Sequence, residues 1–248
     1  MVSALVLVGM LVATPDVAVE LEVFVPLCDN ALIACGRAPA GAPRALDTNL
    51  YWGAAYGAER YLSRAPGFRV VERMAGAADG PVLRRLVVER AAAVGEQRVR
   101  LTLYAYAGDR IDAALEDFLR AAAGGSRADL VVWAGHDRLM DRPPPALQAA
   151  ASASARPVAV LACMSEQYFG PVLEAVGARP VVLTRTLMAP EAYLLEALAS
   201  AVARHGATDA TALRAPLVAA YARHQRISLR AAGSVFSKVR APGPSTPR

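Results

Sequence analysis

Leu130-Val131-Val132-Trp133-Ala134-Gly135-His136-Asp137 and Val158-Ala159-Val160-Leu161-Ala162-Cys163 are the two stretches whose reading decides the fold. Each run is apolar at position after position and then breaks into residues that carry chemistry. A strand with one wet face alternates apolar and polar residues. A strand covered on both faces does not, and uninterrupted runs of this length belong to parallel sheets packed between helices.

The neighbouring segments agree. Val19, Leu21, Val23 and Val25 alternate with Glu20, Glu22 and Phe24 in a strand that runs into Cys28-Asp29-Asn30. Strand-like runs follow at residues 68–74, 82–90 and 99–106, and a further buried strand is expected at residues 180–184. Between them lie helical patterns. Asn49 is expected to cap a helix reaching residue 64, with Gly67 ending it. Asp109 is expected to cap the clearest helix, whose Ile111, Leu115, Phe118 and Leu119 form one apolar stripe and which Gly124-Gly125 stops. Helices are expected at about 165–176, from Pro190-Glu191 onward with Leu194, Leu195, Leu198 and Val202 on one face, and at about 210–225. Strands alternating with helices predict an α/β fold, a three-layer sandwich with a mainly parallel sheet.

Composition limits the function classes. The chain has 248 residues, 55% hydrophobic and 20% charged, which excludes disorder for most of its length. That length suits one large domain, expected over residues 19–240. No stretch approaches the ~20 apolar residues of a membrane-spanning helix. Residues 1–18 read either as an export signal or as a first strand. The apolar run at 4–13 has signal-peptide length, and Thr14-Pro15-Asp16 breaks it before the next strand, which favours an exported protein over a cytoplasmic one. Cys28 and Cys35 are close enough in sequence to pair, leaving Cys163 as an odd thiol. Residues 241–248 (APGPSTPR) read as a disordered tail.

The formal charge is +5, yet only one of the 27 cations is a lysine, Lys238. From residue 210 onward there are seven basic residues and no acidic one, so the rest carries 20 basic against 22 acidic, a net of −2. A solvated helix face ending in a loose tip explains this pattern, and nucleic-acid binding is not expected because aromatic interleaving and a recognised motif are both missing. No Cys/His spacing suggests a metal, and no Walker loop, nucleophile elbow or dinucleotide fingerprint suggests a cofactor.

Open parallel sheets place their sites at the carboxyl ends of strands. Here two buried strands end in His136 and Cys163. A thiol beside an imidazole is the minimal apparatus for acyl transfer, because the imidazolium favours the thiolate. Cys163 also directly precedes a helix, whose first N–H groups can stabilise negative charge. Each residue also has a structural explanation: a strand-end cysteine is commonly a small core residue, and a histidine there can satisfy a backbone group. Tyr51 and Trp52 read as core, and His205 and His224 as helix-end or surface residues.

A hydrophobic strand ending in Gly-His, followed by one ending in Ala-Cys, resembles the caspase-fold cysteine peptidases, nearest to the legumain and GPI-transamidase branch. Ala162-Cys163-Met164-Ser165 with Phe169, and Thr184-Arg185-Thr186 with Pro190-Glu191 and Tyr193, carry the resemblance over residues 128–193. It implies Cys163 as nucleophile, His136 as general base and Asn30, at the end of the first strand, as the residue that orients the imidazole. It implies an oxyanion hole from the N–H groups of Cys163 and of the residue after the histidine, with Gly135, Asp137 and Glu191 as oxyanion and pocket residues. Two departures stand out. The family has glycine where this chain has Asp137, and an acid of the specificity pocket where this chain has Leu161, so a preference for asparagine does not carry over. The expected substrate is a peptide or protein. Two other functions remain open: a caspase-like module that binds without catalysis, and a binder of anionic surfaces or nucleic acid acting through residues 210–248.

Overall fold

The computed structural model describes residues 17–145 and 156–238. Seven strands form one sheet in the order β2-β3-β4-β1-β5-β6-β7. They are β1 (Val19–Pro26), β2 (Phe68–Ala75), β3 (Val82–Arg90), β4 (Val99–Tyr106), β5 (Leu130–Ala134), β6 (Pro157–Leu161) and β7 (Arg179–Val182). The contacts β4·β1, β1·β5, β5·β6 and β6·β7 are parallel, while β2·β3 and β3·β4 are antiparallel. The helices are α1 (Ala58–Leu62), α2 (Ile111–Arg120), α3 (Ser165–Ala175), α4 (Tyr193–His205), α5 (Ala210–Gln225) and α6 (Leu229–Val235). The fold is a three-layer α/β sandwich on a mainly parallel sheet, as the two apolar runs imply. None of the described helices is long and apolar enough to cross a membrane. The export or first-strand reading of residues 1–18 falls almost wholly outside the described residues, as do the tail at 241–248 and much of the connection 138–156.

Alternation along β1 divides the core in two. Leu21, Val23 and Val25 face one side, with Leu194, Leu198, Val202, Leu213 and Leu217 of α4 and α5. Phe24 faces the other, with Leu115 and Phe118 of α2 and Phe169 and Leu173 of α3. Phe118 is the hub of that second layer. Its ring lies 5.8 Å from Phe24, 5.5 Å from Trp133 and 5.7 Å from Phe169, each edge-on, which suits the ring quadrupoles. It is fully buried and ties α2 to β1, β5 and α3.

Two cap expectations fail for the same reason: a tertiary partner claims the side chain. Asp109 lies in a short 3-10 turn before α2 and pairs with Arg44 at 3.0 Å instead of capping. Asn49 starts no long helix. Residues 47–57 form successive turns, and only Ala58–Leu62 is helical. The amide of Asn49 is buried and braces the end of β1 instead. Asp209 does cap α5, accepting from the N–H groups of Thr211 and Ala212. Helix α6, which the sequence pattern does not announce, is held by Arg214, whose guanidinium donates to the carbonyls of Gly233, Phe236 and Ser237. Arg214 is one of the seven basic residues of the C-terminal segment, and its charge serves packing.

Phe118→Ala is expected to destabilise the protein by about 3–5 kcal/mol, since it empties the shared centre of four elements. Urea unfolding followed by tryptophan fluorescence measures it, and a loss below about 1 kcal/mol contradicts the hub.

Candidate functional site

Strand β1 leads through α1, on the α4/α5 side, to β2, β3 and then β4, whereas β4 connects to β5 through α2 on the opposite side. Adjacent strands whose crossovers leave by opposite faces open a crevice at their carboxyl ends. That crevice lies between the ends of β1 (Leu27–Cys28–Asp29–Asn30) and β4 (Tyr106–Ala107); on the other side of β1, β5 runs into Gly135–His136–Asp137 and β6 into Ala162–Cys163. Gly135 is required by close approach, because a Cβ there would lie 2.9 Å from Pro26 Cγ.

Cys163 sits in a turn built by buried hydroxyls. Ser165 Oγ donates to the Val160 carbonyl at 3.1 Å and accepts from the Thr184 N–H at 2.9 Å. The Thr184 hydroxyl donates to the Ala162 carbonyl and accepts from the Ser165 N–H. Between Cys163 and Ser165, Met164 takes a left-handed conformation (φ 48°, ψ 31°) that a non-glycine side chain adopts only against a steric cost. The N–H groups of Met164 and Glu166 donate to Thr186 and Thr184 carbonyls. The start of α3 is thus committed to the loop after β7, and its N–H groups are not turned toward the thiol as the sequence led us to expect. By contrast, the backbone N–H groups of Cys163 and Asp137 make no backbone hydrogen bond among the described residues.

The thiol is half-buried. It donates to the Met188 carbonyl and accepts from the Met188 N–H, both at 3.4 Å. Burial pushes its pKa up, the Met188 N–H pulls it down, and the negative charge of Asp137 pushes it up again. Tyr51 and Tyr221 border the same space. Burial raises both phenols, and the charges of Cys163 and Glu191 raise them further. Tyr221 reaches the same loop directly, its hydroxyl accepting from the Ala189 N–H. Glu191 is itself raised by burial, opposed by hydrogen bonds from Tyr193 and Gln225. Cys163, Asp137, Tyr51, Tyr221 and Glu191 therefore form one electrostatic neighbourhood.

His136 is oriented from elsewhere. Its Nε2 lies 2.7 Å from Asp141 Oδ2, which also accepts from Arg138 at 3.2 Å. Arg138 in turn donates to Asp112 at 2.7 Å, anchoring the 137–141 turn on α2. The His136 carbonyl accepts from Trp133 Nε1. His136 and Cys163 stand at the ends of neighbouring strands without a hydrogen bond between them.

Asn30 does not meet His136. Its Oδ1 accepts from the Cys35 N–H at 3.0 Å and its Nδ2 donates to the Gly36 carbonyl at 3.4 Å, so it braces the loop closed by the Cys28–Cys35 disulfide. The asparagine that organises the end of β1 is Asn49. It accepts from the N–H groups of Cys28 and Tyr51 and donates to the carbonyls of Cys28 and Ala42. Sequence reading missed Asp141 as the imidazole's partner; the signal available was the Gly135-to-Asp141 run, with acids on both sides of Arg138. His224, expected at a helix end or surface, stacks on Tyr193 at 4.1 Å. Tyr51 and Trp52 are buried as expected, and Tyr51 also borders the thiol.

Comparison with protein-family models, curated proteins and solved structures gives no match for this chain.

Asn49→Ala is expected to cost more than about 2 kcal/mol, because each buried backbone group left unpaired costs about 1–3 kcal/mol. Asn30→Ala, at an exposed position, is expected to cost less than half as much in the same denaturant titration. Equal losses contradict the assignment of Asn49 as the brace. A second expectation concerns Asp137, whose pKa burial lifts from 3.8 to about 7. A carboxyl raised on folding gives its full stabilisation below the unfolded value and loses it as pH rises through the folded one. Asp137→Asn is therefore expected to gain stability relative to the parent as pH climbs from 4 to 8. A difference constant with pH contradicts the shift.

Proposed function

We propose that the chain is a cysteine-dependent hydrolase of peptide or amide bonds, with Cys163 as nucleophile and His136 as general base. The observation that carries this reading is the half-buried thiol in a strained, hydroxyl-braced turn, one strand away from an imidazole held by a carboxylate. Strained non-glycine backbone concentrates where function needs a side chain held in a fixed place. The caspase-fold resemblance of residues 128–193 supports the same assignment, and the doubly wound strand order is compatible with it.

In this reading Asp141 takes the orienting role that the resemblance gave to Asn30. It holds Nε2 and stabilises the imidazolium, as the third member of a catalytic triad does. The chemistry requires Nδ1 to come within hydrogen-bond reach of the thiol. His136 accepts the thiol proton as Cys163 Sγ bonds to the carbonyl carbon, and the carbonyl electron pair moves to oxygen. The N–H groups of Cys163 and Asp137 receive that oxyanion. The C–N bond then breaks as His136 returns the proton to the leaving amine. Water, deprotonated by His136, cleaves the thioester.

A second reading, a caspase-like module that binds without catalysis, is favoured by the thiol's engagement with Met188 and by its raised pKa. A panel of peptidyl acyloxymethyl ketones, bearing Asn, Asp, Arg or Lys at the leading position, separates the two. Covalent labelling is read by intact mass and peptide mapping. Stoichiometric labelling of Cys163 that is cut at least tenfold by His136→Ala, and also reduced by Asp141→Asn, is expected for the enzyme. Absent labelling, or labelling indifferent to His136, supports the module.

A further inference from the structure

Asp137 is the one site residue for which neither the sequence nor the mechanism above provides a side-chain role. Its side chain is completely buried at the end of β5. One oxygen, Oδ1, accepts from the Leu139 N–H at 2.9 Å and so caps the short turn Arg138–Met140. The other, Oδ2, is buried with no hydrogen-bond partner. A carboxylate oxygen in that state is costly when charged and nearly free of cost when protonated. Its charge reaches Cys163, which follows the neighbouring strand end level with its own.

The charges around the pair are of one sign. From its own turn, Asp137 meets the N–H groups of Leu139 and Met140 and the negative charge of Asp141. Arg138, next in the chain, turns its guanidinium to Asp112 and Asp141, and the His136 ring turns to Asp141. Cys163 meets Asp137 and the Met188 N–H. Tyr51 and Tyr221 border the thiol from the other elements and connect it to Glu191, a third acid. No cation belongs to this set among the described residues. Two anions cannot both form there without mutual repulsion in a poorly solvated space.

We propose that the Asp137 carboxyl is a protonation switch on Cys163: its neutral form permits the thiolate, and its ionised form suppresses it. Its bearing on catalysis rests on Cys163 being the nucleophile proposed above; its bearing on thiol chemistry does not. Ionised, Asp137 also sets a negative charge beside the N–H that would receive an oxyanion. The site is therefore matched to a mildly acidic medium, in which Asp137 carries its proton.

The test is the rate of Cys163 alkylation by iodoacetamide from pH 5 to 9, on the full chain with its disulfide intact. Cys163 is then the single free thiol. Asp137→Asn keeps an oxygen for the Leu139 N–H and removes the charge. The ratio of variant to parent rate is expected to hold steady below about pH 6 and to rise at least threefold by pH 8.5. Half a unit of thiol pKa already gives about a threefold change in thiolate. The same rise is expected in a His136→Gln background, which removes the imidazole. In the parent alone, log rate against pH is expected to flatten around pH 7 and then resume its climb, a readout that needs no folded variant. A ratio uniform across pH assigns Asp137 a purely structural role and overturns the switch, as does an unbroken slope in the parent. If the ratio rises while peptidyl probes leave Cys163 unlabelled, the switch stands and the hydrolase reading fails.

Discussion

Strands β5 and β6 are buried at every residue, and that single constraint determines where chemistry can occur. With helices on both faces, a polar side chain within either strand would face an apolar layer and cost several kcal/mol without a partner. Polar and reactive groups are therefore displaced to the carboxyl ends, where the chain turns and the layers part. The parallel register, Ala134 beside Leu161, brings those ends level. His136, Asp137 and Cys163 are neighbours because their strands must be apolar and must be in step.

Burial then sets the character of the site. Desolvation is the first cause of the raised pKa of Cys163, Asp137, Glu191, Tyr51 and Tyr221 alike. Burial in the region favours the neutral form of each of these groups. The ion pairs lie outside it: Arg138 with Asp112 and, on the antiparallel end of the sheet, Arg69 and Arg100 with Glu89. In the proposed chemistry the imidazole, supported by Asp141, is the group that brings positive charge to this acid-lined space. The hydroxyls of Ser165 and Thr184 do a different job, satisfying carbonyls and N–H groups where the backbone leaves the sheet.

The sheet was legible because its signal is periodic and local. Short uninterrupted runs of Val, Leu, Trp and Ala bounded by turn residues read as covered strands, and the alternation in β1 marked one of its faces as core. The Ile111, Leu115, Phe118 and Leu119 stripe was legible for the same reason, and all four are buried. Caps were less legible. Asn49 and Asp109 have the right side chains for helix starts, yet Cys28 and Arg44, distant in sequence, offered them better partners. The site was half legible. Strand-end positions for His136 and Cys163 follow from the apolar runs, but their partners depend on turns and on long-range packing. Asp141 reaches His136 through a turn of five residues, Met188 reaches Cys163 across 25 residues, and Asn30 is drawn into the disulfide loop. No periodic pattern encodes such contacts.

The most direct measurement is a crystal structure of the chain after reaction with a peptidyl acyloxymethyl ketone. If the ends of β5 and β6 form one catalytic site, the thioether is on Cys163 and the inhibitor's oxygen lies within about 3 Å of the N–H groups of Cys163 and Asp137. The His136 ring then faces the sulfur with Asp141 still behind it. An adduct whose oxygen points to solvent, with His136 turned away, would contradict the assignment of these strand ends as an active site.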